Sequence, residues 1–141
     1  MIIKGTIDEQ NRLWVKIRVA GYHGGRDIFF RVDTAFDGEL SVPVSLAVPL
    51  GLALVGESEY SIGGGGTSRP FKFIASIQWG SQSRLATVDV DQTKSSLLGM
   101  GLLNGYILLA DFKNKTLIIK EPEAEKTTDE TDTKEKGNQT K

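Results

Sequence analysis

Two carboxylates stand four positions apart in the stretch Phe30-Arg31-Val32-Asp33-Thr34-Ala35-Phe36-Asp37-Gly38, just beyond an apolar run. A carboxylate can take a proton from water and a carboxylic acid can polarise a carbonyl, so two carboxyls sharing one proton supply a base and an acid together. Few other residues in the chain compete for that work. There is no cysteine and one histidine, His23, which removes disulfides, thiol nucleophiles, Cys/His zinc sites and any Ser-His mechanism needing more than one imidazole. His23 stands beside Gly24 and Gly25 and reads as a solvated turn residue, because a metal site needs three or four donors. No metal and no cofactor is expected. On their own, Asp33 and Asp37 read equally well as turn formers, since Asp ends strands and Asp37-Gly38 is a common turn signal.

Such residues act only where a fold positions them, and chain length bounds that fold. A chain of 141 residues with 39% hydrophobic content suits one compact domain. A net charge of −1 gives no basic footprint, so no nucleic-acid partner is expected. The N-terminal MIIKGTIDEQ lacks an apolar stretch of roughly 7–15 residues, and nowhere do about 18 apolar residues run together. These features point to a cytoplasmic protein with no membrane partner.

Composition changes near Lys120. Of the 17 basic and 18 acidic residues, four lysines and seven acids fall in 121–141, leaving 13 and 11 before it. That segment has no aromatic residue and one alanine, Ala124, so it cannot bury enough apolar area to offset the entropy of ordering it. The expected organisation is a domain over 1–120 and a disordered polar tail over 121–141, with no internal repeat.

The body is dense in period-two patterns. Leu13, Val15, Ile17 and Val19 alternate with polar residues as in a half-buried strand, Gly21 to Gly25 supply a turn, and RDIFFRVD and GELSVPV follow as strands. PFKFIASIQWG and RLATVDV read as a hairpin around Gly80-Ser81, and GYILLADF and TLIIKE as another turning at Lys113 to Lys115. Helical pattern is confined to Val44 to Leu52, interrupted by Pro49, and Gly99 to Asn104. The prediction is an all-β domain of roughly seven to nine strands. Trp14 and Trp79 belong in or beside its core, and Phe29 and Phe30 place one ring on each face of their strand.

Order and spacing add to the opening motif. Val32-Asp33-Thr34-Ala35 is followed by the glycine-rich Ser61-Ile62-Gly63-Gly64-Gly65-Gly66-Thr67, a long hairpin, and then Leu97-Leu98-Gly99 before a short helix. This sequence resembles the retroviral-type (retropepsin-like) aspartic proteases, especially their small prokaryotic relatives, over most of residues 10–120. The resemblance implies a closed β-barrel or sandwich with one or two short helices and a functional site at a homodimer axis. It implies that Asp33 is the catalytic carboxylate, that Thr34 bonds across to the partner chain's loop, and that Ala35 lends a backbone N–H near the carboxylate. Asp37 is implied to hold bound peptide backbone or the loop itself, Leu98 and Gly99 to close the loop, and Gly63, Gly64, Gly65 and Gly66 to form the tip of a flap. Ala35 departs from the family, which most often has Gly there.

Chemistry agrees with this on separate grounds. Two carboxylates about 3 Å apart cannot both ionise, a behaviour for which aspartic proteases are the standard example. One chain supplies one such loop, so a shared pair calls for two chains around a twofold axis. Four successive glycines permit positive φ and close backbone approach, as a lid needs, and equally suit a loose hairpin turn. No Lys follows them in a Gly-Lys-Ser/Thr arrangement, which disfavours nucleotide binding. Asp89 and Asp91 share one face of a strand and read as solvent-facing. Two functions fit: a homodimeric aspartic endopeptidase that binds peptide as an extended strand, or a protease-like peptide-binding or dimerisation module that has lost efficient turnover.

Overall fold

The computed structural model describes residues 1–57, 60–62, 66–68, 71–91 and 95–124. Among them the chain runs β1 (Ile2–Ile7), β2 (Leu13–Gly21), β3 (Gly24–Val32), β4 (Leu40–Pro43), α1 (Val44–Leu50), β5 (Ala53–Glu57), β6 (Tyr60–Ile62), β7 (Gly66–Ser68), β8 (Phe71–Trp79), β9 (Gln82–Asp91), β10 (Leu97–Leu98), α2 (Met100–Leu103), β11 (Ile107–Asp111) and β12 (Thr116–Lys120). The all-β expectation holds, with more strands than the pattern alone suggested. The additional ones are two-residue β10, five-residue β5 after α1, the hairpin β6–β7, and β1, whose residues Ile3 and Ile7 point inward.

One ten-stranded sheet has the order β11-β12-β1-β2-β3-β10-β4-β9-β8-β5, and a further pairing of β2 with β8 curls its middle into a closed ring of β2, β3, β10, β4, β9 and β8. Closure comes through Val19↔Ile77 and Ala20↔Ser76. Period-two alternation fills the interior: Val15, Ile17 and Val19 of β2 meet Phe30 of β3 and Ile77 and Trp79 of β8, all at most 2% exposed. Each such burial contributes about 1.5–3 kcal/mol. Phe29, on the other face of β3, is 59% exposed, so the neighbouring rings divide between the two faces as expected.

The β2–β3 tip rests on the end of α1, where Tyr22 and His23 donate their N–H groups to Gly51 and Leu50 carbonyls at 2.9 Å. Gly51 caps α1 in the left-handed conformation, φ 70°, and the His23 ring lies where a Cβ would be. β1 pairs with β12 along its length, and β12 ends at Lys120. From the expected tail, 121–124 are described, and the Glu121 carboxylate accepts from the Met1 ammonium at 3.3 Å. Residues 125–141 lie outside the described residues.

One reading is corrected. Asp89 is 3% exposed, and Ser41, its register partner on β4, is 5% exposed. Val88 and Val90 on the other face of β9 are buried as well, so both faces of the strand are covered at this point; alternation along one strand cannot reveal that.

Candidate active site

The parallel pairing of β10 with β3 and its antiparallel pairing with β4 fix the Asp33 loop. Leu98 lies beside Val32 on one flank and beside Leu40 on the other. Consecutive strands β3 and β4 are therefore separated by β10, and residues 33–39 must cross over the end of β10 to connect them. At that end the chain continues as Gly99, directly beneath the crossing.

Backbone hydrogen bonds hold the crossing at both sides. Asp33 N–H donates to the Leu98 carbonyl at 2.9 Å, and Gly99 N–H donates to the Glu39 carbonyl at 2.9 Å. The first turn of α2 then donates upward, Met100 N–H to the Phe36 carbonyl at 2.7 Å and Gly101 N–H to the Gly38 carbonyl at 2.9 Å. A helix start leaves N–H groups without intrahelical partners. Gly99, at the N-cap, offers no side chain for them, and the loop's carbonyls take that role. Close approach demands the glycine: a Cβ at Gly99 would lie 2.3 Å from the Gly38 oxygen, 2.6 Å from the Phe36 oxygen and 2.5 Å from Phe36 Cδ2. Its φ of −108° is open to any residue, so space, not conformation, excludes a side chain.

Asp33 begins a tight turn in which Phe36 N–H donates to its carbonyl at 3.1 Å. Its side chain is half-buried, and Oδ1 accepts the Ala35 N–H at 3.0 Å. That bond orients the carboxyl and leaves Oδ2 for other chemistry. Among the described residues, positive φ outside glycine occurs at Asn11 and Lys115, so Ala35 carries its methyl without left-handed strain. Thr34, Ala35 and Asp37 are exposed on the same loop. Leu98 is fully buried below it. Asp33, Thr34, Ala35, Asp37 and Gly99 are thus brought together.

The glycine-rich segment stands apart as its own two-stranded sheet, β6 with β7, in the register Ile62↔Gly66. Gly66 opens β7; Gly63, Gly64 and Gly65, assigned above to a flap tip, lie outside the described residues. No group of three or more His, Cys, Asp or Glu side chains among the described residues could hold a metal ion. Nor is any helix among them long and apolar enough to cross a membrane.

Glu39 is the site residue that sequence reasoning missed. Its carboxylate accepts from Thr87 N–H at 2.7 Å, Thr87 Oγ1 at 3.1 Å and Arg84 Nη2 at 2.8 Å. The only sequence signal is a glutamate just ahead of the alternating Leu40 and Val42. Its partners lie 45 and 48 residues away, and nothing in the sequence gives the parallel β4–β9 register that brings them close.

An apolar cavity of about 300 Å³ lies farther along, between α1 and the start of β8, lined by residues that include Val44, Val48, Phe71 and Phe73. It opens at the α1 end of β4, whereas the loop enters at the Leu40 end.

No family model matches the chain, and no curated protein matches it. Among solved structures it is similar to the crystal structure of a retropepsin-like aspartic protease from Rickettsia conorii, at 18% identity and a TM-score of 0.62, over 86% of this chain and 91% of that one. The fold is therefore retropepsin-like: a closed all-β barrel with two short helices among the described residues.

Proposed function

From the retropepsin-like fold and the Asp33 loop, we infer that this chain is a homodimeric aspartic endopeptidase. The observation that carries the reading is the placement of Asp33: a carboxyl oriented by the Ala35 N–H, on a crossing loop fixed from below, and half-open to solvent. One chain supplies one such carboxyl. Two copies related by a twofold axis supply the pair.

In the dimer the two Asp33 carboxyls share a proton. The ionised one takes a proton from water as the water oxygen attacks the scissile carbonyl carbon, while the protonated one gives its proton to the carbonyl oxygen. The tetrahedral adduct collapses by breaking the C–N bond, with a proton delivered to the departing amine. Thr34 fastens the loop to the partner's loop, and Asp37 holds the peptide backbone. The hairpin β6–β7 closes over a peptide bound as an extended strand. The substrate is a peptide or protein, and the protein acts in the cytoplasm.

Support for association comes from the terminal strands. β11 is one edge of the large sheet. Its Ile107 and Leu109 are exposed on the outward face, which by register also carries Ile118 of β12 and Ile2 of β1. The same registers place Lys4 and Lys120 among these apolar side chains, and exposed apolar side chains beside an open strand edge suit burial against a second copy.

The test is Asp33→Asn, measured with peptides that the wild type cleaves. An amide matches the carboxylate in shape and cannot act as the base, so the expected loss is at least about 10³-fold in kcat with fold and dimer retained. Undiminished turnover eliminates the mechanism. A wild type that binds peptides and cleaves none would favour the binding-module reading.

A further inference from the structure

We propose that Glu39 is a positioning residue for the Asp33 loop, a side-chain latch that sets where the loop sits over β10. The inference rests on the peptidase reading only for its kinetic consequences, because the latch itself is visible in the fold.

β4 pairs with β9 in parallel from Leu40↔Val88 onward. Glu39 still pairs with β10, its carbonyl accepting from Gly99 N–H at 2.9 Å, but one residue further back the chain has turned away from β9: the Gly38 carbonyl, which a continued ladder would point at β9, accepts from Gly101 N–H at 2.9 Å. That turn brings the end of the loop down onto α2. It also deprives Thr87 of the backbone carbonyl that a continued ladder would offer its N–H. The Glu39 carboxylate fills that rung, with Oε1 accepting both the Thr87 N–H and hydroxyl and Oε2 accepting Arg84 Nη2. Arg84 is held in turn, its Nε donating to the Leu85 carbonyl at 3.1 Å.

One residue thus bonds in two directions, its main chain to the start of α2 and its side chain to β9. The Glu39 and Arg84 side chains are 21% and 35% exposed, so water competes only in part, and charge-assisted bonds of this kind are roughly twice as strong as neutral ones. Without the carboxylate, Thr87 N–H loses its partner and residues 37–39 are tied on one side only. The crossing would then be free to shift, and with it Asp33 at its other end. A displacement near 1 Å can cost about 100-fold in rate without touching the reacting groups.

The experiment compares wild type, Glu39→Ala and Glu39→Gln in the full chain, with kcat and KM on one cleaved peptide and amide hydrogen exchange on the free protein. Glu39→Ala is expected to lower kcat about 10- to 100-fold while KM moves less than about threefold. Glu39→Gln keeps an oxygen for Thr87 and should recover kcat to within about threefold of wild type. Exchange at Gly99, Met100 and Gly101 should quicken in Glu39→Ala, while the β1–β12 amides stay as in wild type. Loss of kcat in step with a general loss of protection would make Glu39 merely structural and overturn the proposal. So would unchanged kcat, or unchanged exchange at those three amides. If the wild type cleaves nothing, the peptidase reading fails and the exchange result alone decides the latch.

Discussion

Around Asp33, a loop is fixed mainly by hydrogen bonds; in the layer formed by β11, β12 and β1, strands are fixed mainly by apolar burial. The loop takes part in five backbone bonds with its own turn, β10 and α2, and the start of α2 meets it with Gly99 and Gly101, where a Cβ would crowd the Gly38 carbonyl. The terminal layer sends Ile3, Leu117 and Ile119 into the core, and next to it Trp79 is fully buried with its ring edge-on to Tyr106 at 5.6 Å. Hydrogen bonds depend steeply on distance and angle, whereas burial depends on area and tolerates small shifts. The first region is therefore built to place an atom, and the second to hold a domain together.

The contrast is broken most severely at Gly99. Gly99→Ala puts a methyl where backbone oxygens already lie, and the backbone must shift. Overpacking of this kind costs about 1–3 kcal/mol, and displacement of Asp33 should lower kcat/KM by about 100-fold. Peptide cleavage and thermal melting measured together check both; a variant with wild-type activity would show that the loop can move without consequence.

At Trp79 the expectation reverses, with stability lost and turnover per folded molecule kept. Trp79→Ala should cost about 3–5 kcal/mol in urea unfolding. Among the described residues its indole N–H is buried with no hydrogen-bond partner. Trp79→Phe removes that donor along with some volume and should cost less than about half as much. Equal losses from the two variants would mean that the indole N–H is satisfied.

The smallest effect concerns the turn between β11 and β12. The Asp111 carboxylate accepts from Asn114 N–H, from the Asn114 side chain and from Lys113 N–H, and these bonds hold its pKa below the ordinary value of 3.8. A lowered folded-state pKa means a contribution that is present above the ordinary value and fades as pH falls through the lowered one. Because Asp111 is solvent-exposed, acid should loosen this turn while the fold persists. Hydrogen-exchange protection at Lys113 and Asn114 should hold above about pH 4 and drop below it, and Asp111→Asn should remove the dependence. Asp8 is lowered too, first by the Trp14 indole N–H and then by Arg12, and its turn should follow the same sign. Protection that ignores acid would show that the carboxylates do not hold these turns.

Legibility in the sequence follows the same division. Strands that pack by alternation, β2, β3, β8, β9, β11 and β12, announce themselves, because burial selects residue types at period two. The Asp33 motif is legible as well, since it is local. Glu39 and its latch are not, because their meaning depends on β10 standing between β3 and β4 and on the parallel register of β4 with β9. The burial of Asp89 is hidden for the same reason. Two residues, Leu97 and Leu98, make up β10, too few to show a period at all.

The central claim is that one site is shared by two chains, and mixing tests it most directly. Wild type is combined with Asp33→Asn at fixed total concentration, the chains are allowed to exchange, and cleavage of one peptide is followed against the wild-type fraction. If each site needs an Asp33 carboxyl from both chains, activity falls as the square of that fraction, to about a quarter in an equal mixture. A linear fall, to about half, would mean that each chain works alone and would contradict the account.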